Sequence, residues 1–232
     1  RSDGFSVAGI VKGSGMIAPN MGTMLAFLYT DAAVDQTLLA AALRLAADRT
    51  FNRVVVDGDT STNDIALLTA TGAAGRVEPN EFERALEACC RALAVQIAAD
   101  GEGATRLIEV NVRGAPEEED AAAVARTVVG SPLVKTAVYG EDPNWGRVIA
   151  AAGRAGVEFD PYAVSLVIGE GESAVPLVTR GEIVVDLARA KAAMAGKRVV
   201  FTLDLASGEG EATAWGCDLT ERYVEINGKY TT

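Results

Sequence analysis

Residues 12–29 read KGSGMIAPNMGTMLAFLY, a glycine-rich segment followed at once by an apolar run. The run at 24–29 predicts a buried strand. Thr23 stands directly before this strand, where a side chain would be held rigidly, and cleavage of the Gly22–Thr23 bond would give it a free α-amine. The segment therefore has two interpretations: a glycine-rich loop that turns into a strand, or a self-generated threonine nucleophile.

The chain contains no histidine among its 232 residues. This absence excludes a Ser-His-Asp triad, a Cys-His pair and any histidine-based metal site. A nucleophile would have to use a lysine, a carboxylate or a free N-terminal amine as its base. The ordinary pKa of an α-amine is about 7.7 to 8.0, so a useful fraction is neutral near pH 7 and can accept the hydroxyl proton of Thr23.

The composition indicates a globular protein that can bury a core, since 49% of the residues are hydrophobic and 23% are charged. The net charge of -11 would repel a phosphate backbone, so nucleic acid is not expected as a partner. No apolar run approaches the roughly 20 residues that span a bilayer, and the start RSDGFSVAG lacks the regions of a signal peptide. We expect a cytoplasmic protein without a membrane segment.

The three cysteines form neither a disulfide framework nor a zinc spacing, because Cys89 and Cys90 are adjacent and the number is odd. Both thiols lie on a predicted apolar helix with only Arg91 as a neighbouring cation, so a core position is favoured over reactivity. A reducing compartment fits these cysteines, and no metal site is predicted.

Helix and strand patterns alternate through the whole chain and predict an α+β or α/β fold. A glycine-rich hinge at 100–105 follows the longest helix, so a domain boundary is expected near Gly103. The predicted helices are 36–49, 63–70, 79–99, 117–129, 146–154 and 186–195. The predicted strands are 24–29, a short one within 51–59, 106–112, 164–168, 182–185, 199–205, 212–215 and 222–226.

The acidic segment DGDTSTND at 57–64 clusters oxygen-bearing side chains around a glycine. A calcium or phosphate loop would use such oxygens, but the spacing lacks the bidentate glutamate of an EF-hand. A turn that caps the predicted helix at 63–70 through Ser61, Thr62 or Asn63 is the favoured interpretation. As a nucleophile, Ser61 would have no evident base.

Two further bends carry side chains suited to a small polar ligand. Glu102 lies between two glycines, where its carboxylate could meet an amine or could simply be exposed in a turn. The segment GEDPNWGR at 140–147 could line a site, or it could cap the following helix through Asn144. Spacing does not choose between these alternatives.

Five separated segments resemble, in the same order, the ornithine acetyltransferase family, whose members are also called bifunctional arginine-biosynthesis glutamate acetyltransferases. The resemblance covers essentially the whole chain, and five ordered matches are far more specific than one loop motif. The segments are KGSGMIAPNMGTML at 12–25, DGDTSTND at 57–64, DGEGATRLIEV at 100–110, SPLVKTAVYGEDPNWGRV at 131–148 and GCDLTERYVEINGKYTT at 216–232.

The resemblance implies a precursor that cuts itself directly before a threonine, here Thr23. The cut leaves an α piece that ends at Gly22 and a β piece that begins with the nucleophile. Most members of the family carry alanine before this threonine, whereas this sequence has Gly22. Glycine is small and conformationally free, so it should tolerate the strained acyl shift.

The implied activity is a ping-pong transfer of an acetyl group from N-acetylornithine to glutamate through an acyl-Thr23 intermediate. Family members bind substrate through residues that fall on Lys12, Thr23, Glu102, Asn227 and Thr232. Lys12 can pair with a carboxylate and Glu102 with an ammonium group. Asn227 and Thr232 can hydrogen-bond the polar ends of an amino acid. No cofactor is implied, although acetyl-CoA can be a second donor in bifunctional members.

The implied fold is a layered α/β sandwich of the self-processing N-terminal-nucleophile-like type, with a second, smaller α/β domain. Residues 1–22 would end the α piece, 23–103 form the nucleophile-bearing domain, 104–220 form the smaller domain, and 221–232 return to the site as a tail. The family's oxyanion hole is a Thr-Gly pair upstream in the α piece, so the remainder of that piece is an expected partner. An α2β2 assembly is expected.

Two alternatives remain open at this point. An autoprocessed aminopeptidase or amidase would use water in place of glutamate as the acceptor. A non-catalytic amino-acid-binding module would keep the fold with an intact Gly22–Thr23 bond. An assay that compares acetyl transfer with hydrolysis distinguishes the transferase from the first alternative. Whether the Gly22–Thr23 bond is cut distinguishes it from the second.

Overall fold

The computed structural model describes residues 4–18 and 24–229. The chain divides into two compact units, one up to Ile97 and the other from Ala98 onward. The sequence pattern places a boundary near Gly103, a few residues further on. The finer division into four parts stays a prediction.

The first unit contains a small sheet in the strand order β1-β2-β4. Strands β1 and β2 are antiparallel, whereas β2 and β4 are parallel. The first helix begins where the Asp35 side chain accepts the N–H of Leu38 at 3.0 Å, a typical N-cap. The elements are β1 (Val7–Lys12), β2 (Leu25–Thr30), α1 (Gln36–Arg49), β3 (Val54–Val55), β4 (Ile65–Ala70) and α2 (Pro79–Ala99).

One face of the sheet in the first unit packs closely against α2. A Cβ atom added at Gly9 would lie 2.6 Å from Leu28 Cδ2 and 2.9 Å from Leu93 Cδ1. Only glycine allows this approach of β1 to its neighbours. The side chains of Ala26 and Leu28 on β2 are fully buried on this face.

The opposite face of this sheet is apolar and largely exposed. The strand registers place Ile10, Phe27 and Leu67 in one row across β1, β2 and β4. Ile10 is 67% exposed and Leu67 is 48% exposed, and the neighbouring side chains of Tyr29 and Ile65 are about half exposed. We call Ile10, Phe27, Tyr29, Ile65 and Leu67 the apolar face.

The second unit contains a larger sheet in the strand order β10-β5-β9-β6-β7-β8. Strands β5 and β9 are parallel, and the other neighbouring pairs are antiparallel. The elements are β5 (Leu107–Ala115), α3 (Glu118–Val129), α4 (Pro132–Tyr139), α5 (Trp145–Gly153), β6 (Ser165–Ile168), β7 (Val175–Thr179), β8 (Glu182–Ile183), α6 (Leu187–Met194), β9 (Arg198–Asp204), β10 (Gly210–Cys217) and α7 (Glu221–Lys229).

The core of the second unit lies where α3 packs against β5 and β10. Alternate residues of β5 point into it, so Ile108, Val110 and Val112 are buried while Arg113 is exposed. The small and branched side chains of α3, such as Val124, are also buried. The strands and helices around this core end at the candidate site described below.

The helix predicted at 63–70 is wrong, because Ile65–Ala70 is strand β4. A short apolar run without a clear period fits a buried strand as well as a helix. Parallel pairing with β2 satisfies the backbone of β4. Ser61 caps no helix here, since its hydroxyl accepts the N–H of Asn63 at 3.1 Å in a turn.

The strand predicted at 222–226 is also wrong, because Glu221–Lys229 is helix α7. The β-branched and aromatic residues of this segment, Tyr223, Val224 and Ile226, favour a strand. The helix is favoured by Thr220, whose hydroxyl accepts the N–H of Arg222 at 3.2 Å. A Glu225–Lys229 ion pair at 2.7 Å, one turn apart, adds support within the helix.

Candidate functional site

Lys12 is exposed at the last position of β1, and its Cα lies opposite that of Leu25 at the start of β2. Leu25 follows Thr23 by two residues in the sequence. The predicted cleavage site, Gly22 and Thr23, lies outside the described residues. The register nevertheless puts the predicted carboxylate-binding lysine at the end of the sheet where the chain emerges from that site.

Asp64 holds the start of β2. Its Oδ1 accepts the backbone N–H of Met24 at 3.0 Å, and the N–H of Ile65 donates to the Met24 carbonyl, also at 3.0 Å. Met24 is only 4% exposed. The residue that follows Thr23 is therefore fixed by burial and by two hydrogen bonds.

Asp57, at the other end of the DGDTSTND segment, holds the chain before the predicted cleavage site. Its Oδ2 accepts the N–H of Met16 at 2.6 Å and its Oδ1 accepts the N–H of Ile17 at 3.0 Å. Met16 has a φ of 55°, a left-handed conformation that is unfavourable for a residue other than glycine. The N–H of Val56 also donates to the Ile17 carbonyl at 2.8 Å.

The DGDTSTND segment thus anchors both flanks of residues 19–23. Sequence reasoning missed this role, because it considered only a local turn, a helix cap or a metal loop. Aspartates at both ends of the segment were the available signal, since aspartate often accepts backbone N–H groups in turns. Their long-range partners could not be read from the pattern.

Glu102 and Asn227 are brought together, although they are far apart in the sequence. Asn227 Nδ2 donates to Glu102 Oε2 at 2.9 Å and to the Tyr223 carbonyl at 3.1 Å. Both amide hydrogens of Asn227 are used in this way, so its Oδ1 is left to accept. The pair offers only acceptor oxygens to a ligand, which suits an ammonium group. The other predicted binding residue of the tail, Thr232, lies outside the described residues.

The bend at 140–147 supports neighbouring elements. Asn144 caps α5 by accepting the N–H of Arg147 at 3.2 Å, the capping alternative considered above. Glu141 forms an ion pair with Arg106, close after the Glu102 turn. In the same part of the second unit, a hydrogen bond from Tyr139 lowers the pKa of the Glu221 carboxyl, and the Glu221 carboxylate raises the pKa of Tyr139.

Cys89 and Cys90 are not suited to nucleophilic chemistry. Cys90 is fully buried in α2, and burial is the main cause that raises the pKa of its thiol to about 12. Burial also raises the pKa of Cys89. The predicted core position is confirmed for Cys90, while Cys89 is half-buried.

Over residues 4–18 and 24–229, no group of three or more cysteine, aspartate or glutamate side chains is arranged to hold a metal ion. In the same part of the chain, no helix combines the length and the apolar character needed to cross a bilayer. A hollow of about 700 Å³ lies in the first unit where β2 and β4 end and α1 and α2 begin, and it includes Asp35 and Arg76. It is at the opposite end of the sheet from Lys12 and Leu25.

Comparison with known proteins places these features in a family. The model of the ArgJ family matches residues 1–232. A glutamate N-acetyltransferase from Methanosarcina mazei is 54% identical over 236 residues, which cover 99% of this chain and 60% of that protein. An arginine biosynthesis bifunctional protein ArgJ from Symbiobacterium thermophilum is also 54% identical, over 98% of this chain and 58% of that protein. The chain therefore spans about three-fifths of the length of these relatives.

A solved structure gives the same result for the fold. The crystal structure of the arginine biosynthesis bifunctional protein argJ from Bacillus halodurans is 43% identical, with a TM-score of 0.85. The match covers 90% of this chain and 100% of the solved chain. It confirms the expected fold class, a mixed α/β fold of the N-terminal-nucleophile-like type.

Proposed function

Because the chain belongs to the ArgJ family, we propose that it is the nucleophile-bearing part of a glutamate N-acetyltransferase of arginine biosynthesis. The reaction moves an acetyl group from N-acetylornithine to glutamate in the cytoplasm. The observation that carries this substrate choice is the hydrogen bond between Asn227 and Glu102. It joins two side chains from distant segments into an acceptor pair that suits the side-chain ammonium of N-acetylornithine.

The proposal includes self-cleavage between Gly22 and Thr23. One observation supports it. The chain on the two sides of this bond, at Met16 and Ile17 and at Met24, is held by Asp57 and Asp64 of a single loop.

Acetyl transfer would proceed through an ester on Thr23. The free α-amine accepts the hydroxyl proton while Oγ1 attacks the acetyl carbonyl of N-acetylornithine. Collapse of the tetrahedral intermediate breaks the C–N bond, the amine returns the proton to the leaving nitrogen, and ornithine departs. The α-nitrogen of glutamate then attacks the ester, and Thr23 regains its proton. The scheme needs no metal or cofactor. Acetyl-CoA is a second donor that could form the same ester, and replacing N-acetylornithine with it in the assay tests that route.

In this scheme the substrate is held at both ends. Lys12 pairs with the α-carboxylate, and its place opposite Leu25 supports this role. Glu102 and Asn227 accept from the δ-ammonium, and Thr232 adds a polar contact from the tail.

The remainder of the α piece is the proposed partner of the first unit. The apolar face is exposed, with Ile10 at 67% and Leu67 at 48%, and exposed apolar patches often mark protein interfaces. The curated relatives extend well beyond the length of this chain. A further polypeptide segment covering the apolar face would also supply the oxyanion hole, and two such pairs would form an α2β2 assembly.

The experiment that tests the proposal starts from the full-length precursor and its Thr23→Ala and Thr23→Ser variants. We expect the wild type to yield two species, one with a new Thr-Met-Leu terminus, and to transfer acetyl groups to glutamate. Thr23→Ala should stay uncut and inactive because it lacks the hydroxyl, whereas Thr23→Ser should retain cleavage. Intact mass, N-terminal sequencing and a transfer assay measure these outcomes.

Different results would point to the alternatives. An uncut wild-type chain that binds amino acids without turnover would contradict the mechanism and support a binding module. Release of free acetate at the same rate with and without glutamate would support a hydrolase.

A further inference from the structure

Asp218 is a buried carboxylate that lies just before the tail helix. It is 2% exposed, and none of the roles proposed above uses it. Its Oδ1 accepts the N–H of Thr105 at 2.7 Å and the N–H of Arg106 at 3.0 Å. Its Oδ2 accepts the hydroxyl of Thr105. All three donors belong to the segment that directly follows the Glu102 turn.

Thr220 makes a second connection to the same turn. Its hydroxyl, on a residue that is 5% exposed, donates to the Gly103 carbonyl at 2.7 Å. Gly103 has a φ of 73°, and a Cβ atom there would lie 2.5 Å from the backbone nitrogen of Tyr223. The turn therefore sits directly against the start of α7.

These contacts hold the backbone directly after Glu102, at Gly103, Thr105 and Arg106. The turn itself is closed by a hydrogen bond from Ala104 N to the Gly101 carbonyl at 2.9 Å. One short segment, 218–227, thus holds the backbone of the turn through Asp218 and Thr220 and also carries Asn227. We call Asp218, Thr220 and Gly103 the latch.

The latch matters because α7 has no fully buried side chain to fix it. None of the residues Glu221–Lys229 is buried. A helix without buried side chains gains little from tertiary packing and relies on polar contacts near its ends. A further polar contact comes from the buried Lys135, which donates a hydrogen bond to the carbonyl of Cys217, the residue before Asp218.

We propose that Asp218 and Thr220 are positioning residues that set the distance and orientation between Glu102 and Asn227, and so determine affinity for the ammonium group of N-acetylornithine. This inference rests on the proposed function. N-acetylornithine carries one cation, its δ-ammonium, because its α-nitrogen is acylated. Glutamate has a carboxylate at the end of its side chain, so the latch acts on the donor more than on the acceptor.

The test uses the full-length, self-cleaved protein with Thr220→Val and the matched control Thr220→Ser. Valine keeps the shape of threonine but leaves the Gly103 carbonyl without its donor, whereas serine keeps the hydroxyl. We expect Thr220→Val to raise the KM for N-acetylornithine about fivefold to tenfold, the effect of weakening one or two hydrogen bonds. The kcat, the KM for glutamate and the extent of self-cleavage should change less than about twofold.

Asp218→Ala and Asp218→Asn give a second matched pair. Alanine removes three hydrogen bonds and should raise the same KM further, while asparagine keeps an oxygen for the Thr105 and Arg106 amides and should recover most of the affinity. Intact mass for cleavage and a thermal melt for folding accompany each variant. These readouts separate weaker donor binding from a damaged fold.

Three results would overturn the inference. An unchanged KM for N-acetylornithine in Thr220→Val would do so directly. Equal increases in the KM values for N-acetylornithine and glutamate, together with reduced self-cleavage, would show that the latch only stabilises the fold. A wild-type protein that cuts itself but transfers no acetyl group would remove the proposed function, and the latch proposal with it, before any variant is compared.

Discussion

Asp57 and Asp64 hold the chain before and after the predicted cleavage site. Each accepts backbone N–H groups from the chain on one side of residues 19–23. An aspartate in this role acts through its two acceptor oxygens, and a buried N–H deprived of its acceptor costs about 1 to 3 kcal/mol. The proposed cleavage therefore depends on side chains that take no part in the chemistry.

Asp64→Ala tests this dependence in the full-length precursor. Loss of the acceptor for Met24 N–H should slow self-cleavage about tenfold, because the start of β2 is then less well fixed. Asp64→Asn, which keeps Oδ1, should cleave at nearly the wild-type rate. The appearance of the two pieces during cell-free synthesis gives the rate, and cleavage of Asp64→Ala at the wild-type rate would refute the role.

At the same scale, the family resemblance predicted candidate binding residues, but the sequence did not predict the residues that we propose position them. Lys12, Glu102 and Asn227 were found through the resemblance, and the structure joins the last two. Asp64 and Asp218 were missed, because the partner of a carboxylate more than a hundred residues away, as for Asp218 and Thr105, leaves no local pattern. Only three-dimensional contacts identify such residues.

Among the secondary-structure elements, long periodic segments were predicted well and short ones poorly. Helices α1 and α2 were predicted with their observed bounds, since an apolar stripe repeated over several turns is specific to a helix. The segments at 65–70 and 221–229 were each assigned the wrong type. A segment of six to nine residues contains too few repeats to distinguish the helical period from the strand period. A neighbouring strand or a helix cap therefore decides which structure forms.

The packing of α2 on β1 can be tested at Gly9. Gly9→Ala would place a Cβ atom against Leu28 and Leu93, so we expect a loss of about 1 to 3 kcal/mol and a lower thermal midpoint. The control is Gly153→Ala, at the end of α5, where no atom lies within 4 Å of the added Cβ. That change should stay within about 0.5 kcal/mol of the wild type. Equal midpoints for both variants would contradict the close packing.

On the scale of the whole molecule, the apolar face is the proposed contact between this chain and the rest of the protein. Sequence patterns alone predicted a mixed α/β fold, and the family resemblance supplied the missing partner. The exposure of Ile10 and Leu67 could not be predicted, because a short apolar strand does not show which of its two faces is left uncovered. Such a face is stable only when another layer covers it.

Leu67→Lys tests that connection in the self-cleaved, full-length protein. Burial of one leucine side chain contributes about 1.5 to 3 kcal/mol, so a charge at this position should let the two pieces separate at lower urea concentration. Tyr162→Lys, at a residue of the second unit that is 81% exposed, is the matched control. Size-exclusion chromatography in increasing urea measures the separation. Equal retention in both variants would place the partner elsewhere.

The loop at 57–64 has one more consequence, for the thermodynamics of the cut. A broken peptide bond usually lets the new ends diffuse apart, and the gain in chain entropy opposes their return. Here both flanks are tied to a single loop, so a cut at the proposed site would leave Met16, Ile17 and Met24 on the same two anchors. Backbone scission would then be almost neutral for the stability of the fold, and the mature protein would inherit the geometry of its precursor without refolding.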